Sequence, residues 1–344
     1  MMRAGIAGAL ALGMIAATGA VAAPQSVAEI ATYNGADRQA VLEAGAKKEG
    51  EFRPYMTGTQ LDPILERFQK KYPYIKVAPH RIDSDMVARK VGEEYKAGVH
   101  TVDGYMMNTG GLQALRELGV LQSYFSSEQA TYKKDAIEPN KLWTVDKESY
   151  LSLGYNTKTY ADKDLPVTPK DLLDPKWKGK LGMSNEGTTF TTWVGTMLIS
   201  HGEDYVKALA KQDMKFYSIG GRGVSNMVVS GEIPISPAIY SGHMRLSKAK
   251  GATVDWRPIG PVYSNLGGVA IATKSVHPHA TMLLIDFSLS REGQEMYKDL
   301  GYETARLDME NDKKPEQIVY TTERPNFHQE FEQWGRLIKQ LFKI

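Results

Sequence analysis

From Arg38 onward the chain switches repeatedly between a helical spacing of apolar residues and short extended runs, the signature of an α/β fold. Ala40 to Lys48 carries a helical pattern that stops at Gly50, and Glu51 to Thr57 reads as a strand interrupted by Pro54. Asp62 to Lys71 places Ile64, Leu65 and Phe68 on one helical face, and Tyr72-Pro73 ends it. Ile75 to His80 (strand), Met86 to Ala97 (helix), Val102 to Asn108 (strand) and Leu112 to Leu118 (helix) continue the alternation. Three βα units within about 80 residues predict a parallel sheet.

The pattern then loosens. Ser123 to Lys147 is irregular and polar, and reads as a segment crossing between two bodies. Beyond it, strands are predicted over Tyr150 to Asn156, Lys180 to Ser184, Ile233 to Ser236 and Gly267 to Ala272. Helices are predicted over Thr189 to Ser200, Glu203 to Lys211, Gly223 to Ser230, Tyr240 to Lys250, Ala280 to Leu289 and Arg291 to Leu300. The tail, Phe327 to Phe342, carries Phe331, Trp334, Leu337, Ile338 and Leu341 on one face, an amphipathic helix expected to pack on the body. Ala23 to Ala36 is small and polar and reads as a frayed lead-in.

Composition narrows the function classes. A chain of 344 residues corresponds to about two domains, and 42% hydrophobic residues suffice for sizeable cores. Lys and Arg total 42 against 40 Asp and Glu, a balance that argues against a nucleic-acid partner. With no cysteine there are no disulfides, thiol nucleophiles, iron–sulfur clusters or lipid-anchor cysteine. Arg3, the apolar run Ala4 to Ala17 and the small residues around Ala20-Val21-Ala22 read as a signal peptide spanning 1–22. The run is short for a membrane span, so an exported periplasmic protein that is not lipid-anchored is expected.

Several ordered pieces carry a resemblance to a known family. Leu42 to Gly50 resembles its opening helix, and Phe68-Gln69-Lys70-Lys71-Tyr72-Pro73-Tyr74-Ile75-Lys76-Val77 its first helix-to-strand turn. Val102-Asp103-Gly104, Gly154-Tyr155-Asn156-Thr157-Lys158, Trp177-Lys178-Gly179-Lys180-Leu181 and Ser290-Arg291-Glu292-Gly293-Gln294 follow in the family's order. On these pieces the chain resembles the class II periplasmic substrate-binding proteins of ABC importers, in the branch that contains ferric-ion-binding proteins. The resemblance implies a two-lobed α/β fold (type II), with central, mostly parallel sheets flanked by helices and a ligand cleft between the lobes. It implies a lobe over 38–120 plus 259–305 and another over 121–258 plus 306–344. It also implies a small-molecule ligand, delivery to the transmembrane subunits of an ABC permease, a monomer, and no resident cofactor.

In lobe-and-cleft folds the ligand meets loops after strand C-termini and helix N-termini. That rule nominates Tyr55, Thr57 and Thr59 in the first loop, Asn108 and Thr109 in the second, and Ser184, Thr188 and Thr189 in the third. Arg222 in Gly220-Gly221-Arg222-Gly223 and Tyr240 at a helix start complete the set. Thr188 and Thr189 read equally as helix caps, and Arg222 equally as a solvated surface residue. In the ferric-binding relatives an adjacent tyrosine pair holds iron; laid over Gly231 to Leu246 without gaps, that pair falls on Ser241 and Gly242, with Tyr240 one place early. The relatives' histidine falls near Thr59 and their glutamate on Asn108, so a ferric ion would lack anionic ligands. A small carboxylate, phosphonate or phosphate ester held by Arg222, hydroxyls and helix N-termini is the expected cargo, and ferric iron bound through Tyr240 the alternative. An enzyme is not expected. Gly182-Met183-Ser184-Asn185-Glu186-Gly187 is one residue too long for a nucleophile elbow, and His277-Pro278-His279 reads as a helix cap without a third metal ligand.

Overall fold

The computed structural model describes residues 25–57, 60–82, 84–186, 188–319, 324 and 326–344. Segment 1–22, which the sequence reads as a signal peptide, Thr59 and Gly187 lie outside the described residues. The chain opens with α1 (Val27–Thr32), which replaces the expected frayed lead-in. A capping box between Ser26 and Glu29 starts this helix, and Ile30 and Ala31 bury its inner face. Next come α2 (Arg38–Glu49), β1 (Glu51–Phe52), β2 (Pro54–Met56), α3 (Asp62–Lys71), β3 (Lys76–Val77), β4 (His80–Arg81), α4 (Ser84–Lys96), β5 (Gly104–Asn108), α5 (Thr109–Glu117) and β6 (Leu121–Gln122).

The chain then crosses on a single long strand, β7 (Thr144–Asn156). The other body contains β8 (Gly182–Ser184), α6 (Thr189–His201), α7 (Glu203–Ala210), β9 (Lys215–Tyr217), α8 (Gly221–Ser230), β10 (Ile235–Tyr240), α9 (Ser241–Ala249) and β11 (Val254–Arg257). The return is β12 (Pro261–Ala272), followed by α10 (Pro278–Leu289), α11 (Arg291–Asp299), β13 (Gln317–Val319) and α12 (Phe327–Phe342). The crossing is therefore made by two extended strands, not by the irregular stretch 123–147. The sequence hides this because Asp146, Lys147 and Glu148 occupy the strand, and such a charged run reads as surface loop although Asp146 and Glu148 are fully buried.

The main sheet runs in the order β10–β7–β12–β5–β2–β4. Parallel pairing, which the βα alternation predicts, holds for β2 with β4 and β5. The two crossing strands run antiparallel to each other, and β12 runs antiparallel to β5. Val145 of β7 and Leu266, Val269 and Ile271 of β12 pack in the core around Leu42, Phe68, Leu283 and Phe287, and Leu151, Leu153 and Tyr155 of β7 with Tyr263 of β12 in the core around Trp177, Trp193 and Leu209. Tyr124, Tyr132, Ala136 and Val145 belong to the first of these cores, so 121–145 packs with the N-terminal lobe, whereas the family resemblance implies the other lobe. Trp334 and Ile338 of α12 pack in the distal core, as the apolar stripe predicts.

Helix α10 is apolar almost all round and is buried on nearly every side. Its N-terminus is held by remote carboxylates: Asp103 accepts the N–H groups of Val276 and His277, and Glu49 those of His279 and Ala280. The rings of His277 and His279 pair with the same two carboxylates, at 2.9 and 2.6 Å. That makes His277-Pro278-His279 a cap.

Candidate functional site

Between the lobes lies a cavity of about 500 Å³. The N-terminal lobe contributes Thr57 from the loop after β2, Gln60 and Leu61 at the entry to α3, and Asn108 at the end of β5. Asn108 caps α5, its Oδ1 accepting the Gly111 N–H at 2.9 Å. The crossing strands supply Lys147 and Ser149 from β7, and Asn265 and Gly267 from β12. The distal lobe contributes Arg222 in the first turn of α8, and Tyr240, Gly242 and His243 at the start of α9. Tyr302, in the loop after α11, closes the wall. This loop reaches the cavity because two glycines touch: a Cβ on Gly242 would stand 2.6 Å from the Gly301 oxygen, and Gly301 has a φ of +88°.

The wall is electropositive. Lys147 and Arg222 line it, no carboxylate of the described residues does, and the caps or first turns of α3, α5, α8 and α9 all meet it. Lys147 is largely buried, with its ammonium 3.1 Å from Asp146 Oδ1. Arg222 is exposed and makes no ion pair among the described residues. Burial and the nearby Arg222 push His243 down to about 4, so its imidazole is neutral at physiological pH. The Tyr240 hydroxyl reaches Thr189 and Asn265, and burial raises it above an ordinary phenol. Burial likewise pushes Tyr302 up to about 12.

Glu303, beside Tyr302, pairs with Arg245. Its Oε1 accepts Arg245 Nη1 at 2.8 Å, and burial, outweighing Arg245, pushes the carboxyl up to about 7. A carboxyl raised above its unfolded value holds a proton in the native state that the unfolded chain releases, so its contribution to stability is lost as pH rises through about 7. His243, lowered to about 4, works in the opposite sense only below its ordinary range. Between about pH 6.5 and pH 8, the urea midpoint of Glu303→Gln should therefore fall less than that of the parent. Equal slopes would remove Glu303 as the titrating group.

Of the residues expected from the sequence, Thr57, Asn108, Arg222 and Tyr240 stand together on this wall, and Thr189 touches it through the Tyr240 hydroxyl. Four others are placed elsewhere. Tyr55 is buried in the N-terminal lobe and donates to Glu94 at 2.6 Å, because a strand residue preceding the loop faces the core and not the cleft. Thr109 is buried in the first turn of α5, one position past the residue that reaches the cavity. Ser184 is buried and donates to the Ile219 oxygen at 2.6 Å, tying β8 to the start of α8. Thr188 is the residue that precedes α6. Sequence reasoning missed Gln60, Lys147, Ser149, His243, Asn265 and Tyr302. Only Gln60 and His243 had a signal, Gln60 as the last residue of the nominated loop Tyr55 to Gln60 and His243 as a neighbour of the helix start at Tyr240; the others sit on crossing strands or a return loop that no local pattern marks.

Residues 104–323 match the family model described as a bacterial extracellular solute-binding protein. The chain belongs to that family. This solute-binding protein is 29% identical over 277 residues to an uncharacterized protein of Haemophilus influenzae, covering 74% of this chain and 77% of that one. In fold it is similar to iron-bound HitA from Pseudomonas aeruginosa, with a TM-score of 0.67 at 21% identity over 85% of this chain and 99% of that chain. It is similar also to the periplasmic binding protein AfuA from Actinobacillus pleuropneumoniae with fructose-6-phosphate bound, with a TM-score of 0.67 at 22% identity over 86% and 99% of the two chains. The fold is that of class II substrate-binding proteins, two lobes joined by crossing strands, and the family is one of solute carriers for ABC importers rather than of enzymes. Among the described residues no helix is long and apolar enough to cross a membrane, and no three His, Asp or Glu side chains converge on a metal position.

Proposed function

We propose that this solute-binding protein captures a small organic anion in the interlobe cavity, in the periplasm, and delivers it to an ABC permease. A phosphate ester of a hydroxyl-rich solute fits best. The observation that carries this reading is a wall to which the described residues bring two cations and no carboxylate, and on which four helix N-termini meet. A guanidinium free of carboxylate partners suits bidentate contact with phosphate. Gln60, Asn108, Ser149 and Asn265 offer amides and hydroxyls for a polyol. The similar fold of AfuA carries fructose-6-phosphate, a solute of this kind.

Ferric iron fits the same wall poorly. A hard trivalent ion needs several anionic oxygens, whereas no carboxylate of the described residues lines the wall and the expected glutamate position is Asn108. The test is isothermal titration of the exported protein with fructose 6-phosphate, fructose, citrate and ferric citrate. Binding of the phosphorylated hexose without binding of fructose is the expected result. Stoichiometric ferric binding with a visible phenolate charge-transfer band, and no response to the phosphate ester, would overturn it.

A further inference from the structure

We propose that Gly267 is a positioning residue of the ligand site: the side chain it lacks is the slot in which Lys147 lies across the crossing strands. The inference rests on reading the cavity as an anion site, but its central claim concerns where one lysine is held.

Gly267 stands directly opposite Lys147 in the antiparallel pairing of β12 with β7. The next pair is Gly268 with Val145, so Asp146 is the extra residue of a bulge. Bulges turn side chains out of the regular alternation, and a glycine inside a strand marks a close approach. Here the thing approaching is the lysine: a Cβ at Gly267 would lie 2.6 Å from Lys147 Cε and 2.7 Å from its Cγ, and closer still to Nζ. All three clashing atoms belong to the flexible side chain, none to backbone. Folded over the glycine, the ammonium meets Asp146 Oδ1 at 3.1 Å and lies over the rings of Tyr297 and Tyr302, 5.7 and 6.0 Å from their centroids.

The carboxylate end of this arrangement is fixed independently. Asp146 is fully buried, its Oδ2 accepts the Tyr297 hydroxyl at 2.6 Å, and its main-chain oxygen accepts Gln294 Nε2 at 2.6 Å. The ammonium is thus placed by Gly267 on one side and by the Tyr297–Asp146 pair on the other. It lines the cavity from the strand that joins the lobes, as does the exposed Arg222 from the distal lobe, which makes no ion pair among the described residues. The neighbouring Gly268 makes a built-in control, because a Cβ there would meet Leu112 Cδ1 at 2.8 Å and the Thr144 oxygen at 3.3 Å, not the lysine.

The experiment compares the parent, Gly267→Ala and Gly268→Ala by reductive methylation with peptide mass spectrometry, and by titration with fructose 6-phosphate. In the ligand-free parent, Lys147 should methylate slowly. In Gly267→Ala it should methylate at least about tenfold faster, and the affinity for fructose 6-phosphate should drop by about tenfold or more, while Gly268→Ala leaves the labelling rate unchanged. Unchanged Lys147 labelling in Gly267→Ala, with a folded protein by near-UV circular dichroism, would overturn the proposal. So would equal acceleration in Gly268→Ala. Faster labelling in Gly267→Ala, in a protein whose parent binds no phosphate ester, would uphold the lysine slot and refute the ligand reading instead.

Discussion

Lys147→Met is expected to lower the stability of the ligand-free protein by about 3–5 kcal/mol, the usual cost of stripping a buried charge of its partner. Asp146 has no solvent exposure, and Lys147 is the cation that its Oδ1 meets. Without the ammonium the carboxylate keeps the Tyr297 hydroxyl, a single neutral donor that compensates only part of the desolvation. Urea unfolding of the parent and the variant measures this directly. Adding Asp146→Asn to the methionine variant should recover much of the stability and none of the affinity for fructose 6-phosphate. A methionine variant as stable as the parent would mean that the pair contributes nothing net and that the lysine can leave its slot freely.

Arg222→Ala should behave in the opposite way, with a large effect on binding and almost none on the fold. Arg222 is exposed at the start of α8 and makes no ion pair among the described residues, so its loss should shift stability by less than about 0.5 kcal/mol. A charged hydrogen bond to an anionic ligand is worth about 1.5–3 kcal/mol, or about 10- to 150-fold in affinity for fructose 6-phosphate. Its partly exposed position also predicts that the parent's affinity weakens as salt is raised, and that the variant's does so less. Titration at two ionic strengths reads both effects. Unchanged affinity would take Arg222 out of the site. Taken together the two variants separate an ammonium built into the joint between the lobes from a guanidinium held in reserve for the ligand.

Both lobes' helices were legible because their apolar residues recur at helical spacing: Ile64, Leu65 and Phe68 on α3, and Trp334 and Ile338 on α12, are buried where the pattern puts them. Strand ends followed by glycine or polar turns marked Thr57, Asn108 and Arg222, which do stand on one wall. The rule was too coarse by a residue or two elsewhere. Tyr55 and Thr109 lie near true wall positions, yet Tyr55 is still inside β2 while Thr57 is in the loop beyond it, and a helix turns by about 100° per residue, so each points into the lobe.

The amino-acid order alone determined the α/β class, the absence of thiol chemistry, the family resemblance and the loops from which a ligand could be reached, because these depend on local periodicity and composition. Tertiary structure alone decided that Asp146-Lys147-Glu148 is a buried crossing strand rather than a surface loop, that Asn265 and Tyr302 come to the wall, and that Gly267 makes room for a lysine 120 positions away in the chain. A buried charge differs from a solvated one only in the partners that folding brings to it, and those partners lie far off along the sequence.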